Sequence, residues 1–249
     1  VGKFQVEFTI PYFAGDKEGV LSPVFLLEYL GEVAALHSDA ANLGFKELKD
    51  MGYGWVLNRW KVKVDKYPKV KEKIIIKTWT SKAYKFFANR EFTVYNKGGQ
   101  LIGKASTLWV FIDINRKRPA RIPEKLVSSY KIVDKRNFKD FYKFQDDIGP
   151  VTGLDFLVRK SDIDYNLHVN NVRYLDWILE VVPERENKEY FLKEFEIQYR
   201  QEIKYGEEVS SRINKGKRVG KKKIYLHKIT TDADEKSRAF AKTIWSKEK

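Results

Sequence analysis

The sequence predicts an α+β protein built from two similar domains, each a long helix laid on an antiparallel sheet. Three observations predict it. The chain matches itself when slid by 148 residues and, further on, by 135 residues. Each copy contains one helix with a marked apolar stripe. After each helix come runs of strands, where a parallel sheet would alternate strands with helices.

The first shift sets residues 8–34 on residues 156–182 without a gap: Phe8 meets Phe156, Ile10 Val158, Val24 Val172, Leu27 Leu175, Leu30 Ile178 and Val33 Val181. The second sets Trp60 on Phe195, Val62 on Ile197, Val64 on Tyr199 and Ile74 on Val209, so 13 fewer residues separate helix and strands in the second copy. The first helix opens at Ser22-Pro23, an N-cap followed by proline at the first helical position, and ends before Gly44. Val24, Leu27, Leu30 and Ala34 make its stripe. The second helix begins near Asn170, carries Val172, Leu175, Ile178, Leu179 and Val182, and is stopped by Pro183. Strands are expected at 55–65, 72–80, 84–96 and 100–114, with Asn96-Lys97-Gly98-Gly99 as a hairpin turn, and again at 191–203, 207–214, 223–231 and 238–245. Residues 115–150, interrupted by Pro119, Pro123 and Pro150, read as a connector crossing the molecule, with a short helix near 123–129 compatible with that reading. The expected domains are therefore 1–114 and 151–249 on either side of a 115–150 linker.

Composition narrows the chemistry. The 249 residues include no cysteine, which excludes disulfides, zinc–thiolate sites and a thiol nucleophile. Lys and Arg number 48 against 34 Asp and Glu, a net charge of +14. That field attracts nucleic acid, an anionic membrane or an acidic protein, and it also fits a surface simply solvated by lysines. No stretch approaches the ~18 apolar residues of a membrane span, and the alternating start VGKFQVEFTI has no targeting character. The chain reads as soluble, without a targeting segment. G-x-S-x-G, a Walker loop and a strand-linked G-x-G-x-x-G are all missing, so serine-hydrolase and nucleotide chemistry have no support.

The repeat also locates a candidate site. In the turn before the first helix stand Asp16, Glu18 and Val20; the second copy has Asp164, Asn166 and His168. A polar set kept in one copy only, just before a helix N-terminus whose N–H groups and dipole favour negative charge, suggests that the second copy does chemistry. The alternative is a polar surface turn that drifted. Asp162-Ile-Asp164-Tyr-Asn166 also begins like a calcium loop, but Leu167 stands at the required glycine and Arg173 at the bidentate acid, so calcium is rejected. Glu202, whose counterpart is Tyr67, joins the site only if folding brings its strand end to the helix N-terminus. His37 and His227 read as structural. The basic run 215–223 reads as a solvated hairpin tip.

The segment Asp164-Tyr-Asn166-Leu-His168-Val-Asn170-Asn171-Val-Arg-Tyr174-Leu-Asp-Trp177-Ile-Leu-Glu180 resembles the acyl-ACP thioesterases of plants and bacteria, as do LNRWKVKVDKYP, ASTLWVFIDINRKRPARIPE and EFEIQYRQE. The match runs in order through nearly the whole chain. The resemblance implies two tandem hotdog domains, each a long central helix wrapped by antiparallel sheet, and hydrolysis of a fatty acyl thioester on the carrier's phosphopantetheine. It places the functional groups on Asp164, Asn166, His168 and Glu202, with no cofactor and no metal. Ile203 stands where plant members often carry a cysteine, which favours water activated by carboxylate and imidazole. In that scheme Glu202 and His168 activate water and deliver protons, Asn166 and main-chain N–H groups hold the oxyanion, and Asp164 positions the imidazole or shares the base role. The implied partner is an acidic acyl carrier protein, with the run 215–223 as one place it could dock; nucleic acid and membrane are not expected partners. The expected setting is the bacterial cytoplasm and the expected state a monomer or homodimer. The neighbouring alternatives are an acyl-CoA thioesterase or another hotdog thioester enzyme.

Overall fold

The computed structural model describes residues 2–165 and 167–247. The chain divides into two compact units, Val1–Asp140 and Phe141–Lys249.

The first unit runs β1 (Phe4–Thr9), α1 (Pro23–Ala40), α2 (Phe45–Asp50), β2 (Tyr53–Val64), β3 (Lys73–Tyr84), β4 (Phe87–Asn96), β5 (Leu101–Asp113), β6 (Arg118–Pro119) and α3 (Glu124–Ser129). Its main strands form one antiparallel sheet in the order β1, β3, β4, β5, β2, with β6 paired to β5. Helix α1 begins as its sequence dictates: Ser22 Oγ accepts from Val24 N–H, and Pro23 occupies the first turn, where its missing N–H costs nothing. The helix packs on β1 and β3 and buries Leu26, Leu27, Leu30 and Val33. Each such side chain taken from water contributes about 1.5–3 kcal/mol before ordering costs. The Asn96 turn closes β4 onto β5 as expected, with Gln100 N–H donating to Asn96 Oδ1 at 2.9 Å and Gly99 at φ 78°.

The second unit repeats the plan: β7 (Val151–Leu157), α4 (Asn171–Glu180), α5 (Glu184–Glu189), β8 (Phe191–Tyr199), β9 (Glu208–Asn214), β10 (Lys217–Val219), β11 (Lys222–Thr231) and β12 (Asp234–Ser246). The sheet order is β7, β9, β11, β12, β8, matching the first unit strand for strand, with short β10 on β11. Even the register agrees: Phe8 faces Ile74 across β1 and β3, and Phe156 faces Val209 across β7 and β9. The missing 13 residues come largely from the helix, since α1 has 18 residues and α4 has 10. As a result Arg185, aligned with His37 of α1, falls in α5 and pairs with Glu189 at 2.9 Å. The basic run 215–223 forms the β10–β11 hairpin, whose β10 residues are all exposed.

The expected connector, residues 115–150, divides between the two units and is tied down within each by polar groups. Buried Glu91 accepts from Ser81 Oγ (2.8 Å), from Ser106 Oγ and from Asn137 N–H (3.0 Å), while Asn137 Nδ2 donates to the carbonyls of Phe92 and Ala105. In the second unit, buried Glu196 accepts from Tyr142 N–H at 2.6 Å. The short helix considered near 123–129 forms as α3. A second polar knot lies within the first unit. Arg90 donates to His37 Nδ1 (2.6 Å) and Ser38 Oγ (3.2 Å), which leaves the His37 proton on Nε2, and burial lowers the Arg90 pKa. Among the described residues, no helix is long and apolar enough to cross a membrane.

Candidate active site

The site is assembled by the loop that joins β7 to α4. β7 runs into a 3-10 turn, Lys160–Asp162, whose Asp162 is buried and gathers Arg159 from three atoms: N at 2.8 Å, Nε at 3.2 Å and Nη2 at 3.0 Å. The Asp162 carbonyl accepts from Asn170 N–H at 2.8 Å, and Ile163 bridges Val169. These bonds bring His168 back to Asp164, with Asp164 N–H donating to the His168 carbonyl (2.9 Å) and Leu167 N–H to the Asp164 carbonyl (3.0 Å). Leu167 sits at φ 65°, a left-handed conformation that side chains other than glycine adopt at some cost. Asn170 then caps α4, its Oδ1 accepting from Val172 N–H at 3.0 Å. Val172 and Arg173 N–H are both taken up by Asn170, so the helix end offers fewer open donors than the sequence suggested.

The strand end after β8 meets this loop. Val169 N–H donates to the Ile203 carbonyl at 3.1 Å, and the adjoining side chains come together: His168 Nε2 lies 2.9 Å from Glu202 Oε2. Both side chains remain accessible, 36% and 58% exposed. Folding thus brings the strand end carrying Glu202 to the head of α4. Asp164 is joined to His168 through the main-chain bond of the turn. Asn166 lies outside the described residues. Metal binding finds no cluster of three or more His, Asp or Glu side chains among the described residues.

Several supporting groups carry no local sequence signal. The Tyr199 hydroxyl donates to the Asn171 carbonyl at 2.9 Å, tying the end of β8 to the first residue of α4. The Tyr174 hydroxyl reaches the Gln201 carbonyl at 3.4 Å, and buried Arg238 holds the Gln201 side chain and Thr231 Oγ1. Burial raises the pKa of both tyrosines, with Glu202 the next contribution at Tyr174, so both stay protonated donors. Asp162 stands where the first copy has Ala14, a difference legible in the sequence alone.

The first unit has the same turn with different side chains. Asp16 N–H donates to the Val20 carbonyl, Gly19 N–H to the Asp16 carbonyl, and Gly19 sits at φ 70°. There Asp16 Oδ1 accepts from Glu18 and Val20 N–H, so its carboxylate stabilises the turn itself. Val20 stands in place of His168, and Tyr67, with its hydroxyl buried and unpartnered, in place of Glu202. A cavity of about 520 Å³ in this unit, lined by Tyr84, Phe86, Arg121, Ile122 and others, contains none of the candidate residues.

Residues 2–130 match the acyl-ACP thioesterase N-terminal domain and residues 146–247 its C-terminal domain. The chain belongs to the acyl-ACP thioesterase family. It is 29% identical over 213 residues to the chloroplastic palmitoyl-acyl carrier protein thioesterase of Arabidopsis thaliana, an alignment covering 80% of this chain and 52% of that protein. The chain thus spans about half the length of the curated relatives it matches. A solved acyl-ACP thioesterase from Bacteroides thetaiotaomicron superposes with a TM-score of 0.89 at 25% identity, covering 98% of both chains. The 12:0-ACP thioesterase from Umbellularia californica gives 0.83 at 20% identity, covering 98% of this chain and 96% of that one, a likeness of fold. The two units are the tandem hotdogs of the acyl-ACP thioesterase fold.

Proposed function

We propose that this chain hydrolyses the thioester joining a fatty acyl group to acyl carrier protein, releasing free fatty acid. The observation that carries the reading is the 2.9 Å contact between His168 and Glu202 at the head of α4, a pair that the sister copy lacks. In this reading a water held between the two loses its proton to the carboxylate–imidazole pair as its oxygen attacks the carbonyl carbon. The negative charge that grows on the carbonyl oxygen is met by the Asn166 carboxamide and by main-chain N–H groups around the turn. The tetrahedral species then collapses, the C–S bond breaks, and the imidazolium returns the proton to the departing sulfur. Asp164, opening the turn that His168 closes, fixes the imidazole loop or shares the base role. A thiol has no part, because Ile203 follows Glu202 and the chain has no cysteine.

The domains 1–114 and 151–249 divide the labour, the second catalysing and the first taking the acyl tail between its helix and sheet. Family membership and the palmitoyl-carrier relative support the carrier-bound substrate. The test is free fatty acid released from acyl-ACP and from acyl-CoA at matched chain length. Faster turnover of the carrier substrate is expected; turnover confined to acyl-CoA would replace the reading with its nearest rival.

A further inference from the structure

Leu167 is poorly explained by folding. It holds a left-handed backbone at φ 65° at the position where the first unit places Gly19 at φ 70°. The turn therefore forms without any side chain there, and glycine is the residue that adopts this conformation freely. Nor does Leu167 contribute to the core, since it is 79% exposed. A large apolar side chain set into solvent on a strained backbone, one residue from His168, calls for a role outside the fold.

Its neighbours suggest which. Tyr165 in the same turn is 73% exposed and Tyr205, just beyond Glu202, is 58% exposed. The bond from Val169 to Ile203 sets these two segments side by side. Lys160 and Lys204, both exposed, flank them. Exposed tyrosine and leucine, with two exposed lysines on the same segments, offer apolar anchors and positive charge to an acidic protein.

We propose that Leu167, with Tyr165 and Tyr205 beside it, contacts the protein surface of the acyl carrier itself, reading the carrier and not its phosphopantetheine arm. The inference rests on the function proposed above. The test uses apo-carrier, which has the surface and lacks the arm, as a competitive inhibitor of acyl-ACP hydrolysis. Leu167→Asn keeps a left-handed backbone accessible and removes the apolar contact; Leu167→Gly does the same with a backbone matching Gly19. Both variants should raise the Ki of apo-carrier and the KM of acyl-ACP by about tenfold, the loss of one interface anchor, with a melting temperature no lower than the parent's. A parent that apo-carrier does not inhibit, or variants with parent-like Ki, would overturn the inference while leaving hydrolysis intact. A parent that releases no fatty acid from acyl-ACP would instead end the functional reading and this inference with it.

Discussion

His168 and Glu202 touch at 2.9 Å while both stay partly exposed. Such a pair adds at most about 1 kcal/mol to stability, so its removal separates chemistry from folding. Glu202→Gln should lower kcat/KM by about 10²–10⁴ with the melting temperature nearly unchanged, read by fatty acid release and thermal denaturation side by side; parent-like turnover would remove Glu202 from the mechanism. His227 makes the opposite prediction. Burial pushes its pKa down to about 3, and it stays neutral against Thr243 Oγ1. The unfolded chain, where a histidine titrates near 6.5, binds a proton that the folded one refuses between those values. Stability is therefore lost as pH falls through about 6.5 toward 3, at about 1.4 kcal/mol per unit at the steepest. Denaturant midpoints should fall less steeply over that range in His227→Gln than in the parent, and identical slopes would count against it. At this scale the sequence revealed the identities but not the pairings: Asp164, His168 and Glu202 stood out against Asp16, Val20 and Tyr67, whereas no local pattern told that Tyr199 would reach Asn171.

The elements were legible where local chemistry sets them. Ser22-Pro23 and the Asn170 cap start the helices, Asn96 to Gly99 turns β4 into β5, and alternation marks the strands. The gapless match at an offset of 148 residues extends to hydrogen bonds, since Asp16 to Val20 and Asp164 to His168 close their turns in the same way. What stayed hidden depends on long-range placement: that α4 is 8 residues shorter than α1, that Arg90 finds His37, and that the connector hangs on Glu91 and Glu196. Two predictions belong here. Tyr199→Phe removes the bond from β8 to the head of α4 and should cost about 1 kcal/mol in chemical denaturation, with a several-fold drop in turnover because the ends carrying Glu202 and His168 are no longer tied; unchanged turnover would limit Tyr199 to packing. Glu91→Ala leaves two hydroxyls and the Asn137 N–H without their acceptor, and a loss of about 2–4 kcal/mol is expected. A variant as stable as the parent would mean that the connector is held by its other bonds.

For the molecule as a whole, the net charge of +14 bears on the proposed carrier substrate, an acidic protein. If charge steers that encounter, the KM for acyl-ACP should rise steadily with ionic strength from 50 to 500 mM, and a flat response would assign the lysines to solvation alone. The duplication supplies the larger claim: two copies share one backbone plan, and the second has the His168–Glu202 contact where the first has Val20 and Tyr67. The most direct measurement is kcat for fatty acid release at saturating acyl-ACP in His168→Ala and, in parallel, in Val20→Ala at the matching position of the first unit. The expected result is a fall of about 10²–10⁴ in the first variant and near-parent turnover in the second. Parent-level turnover in His168→Ala would contradict it.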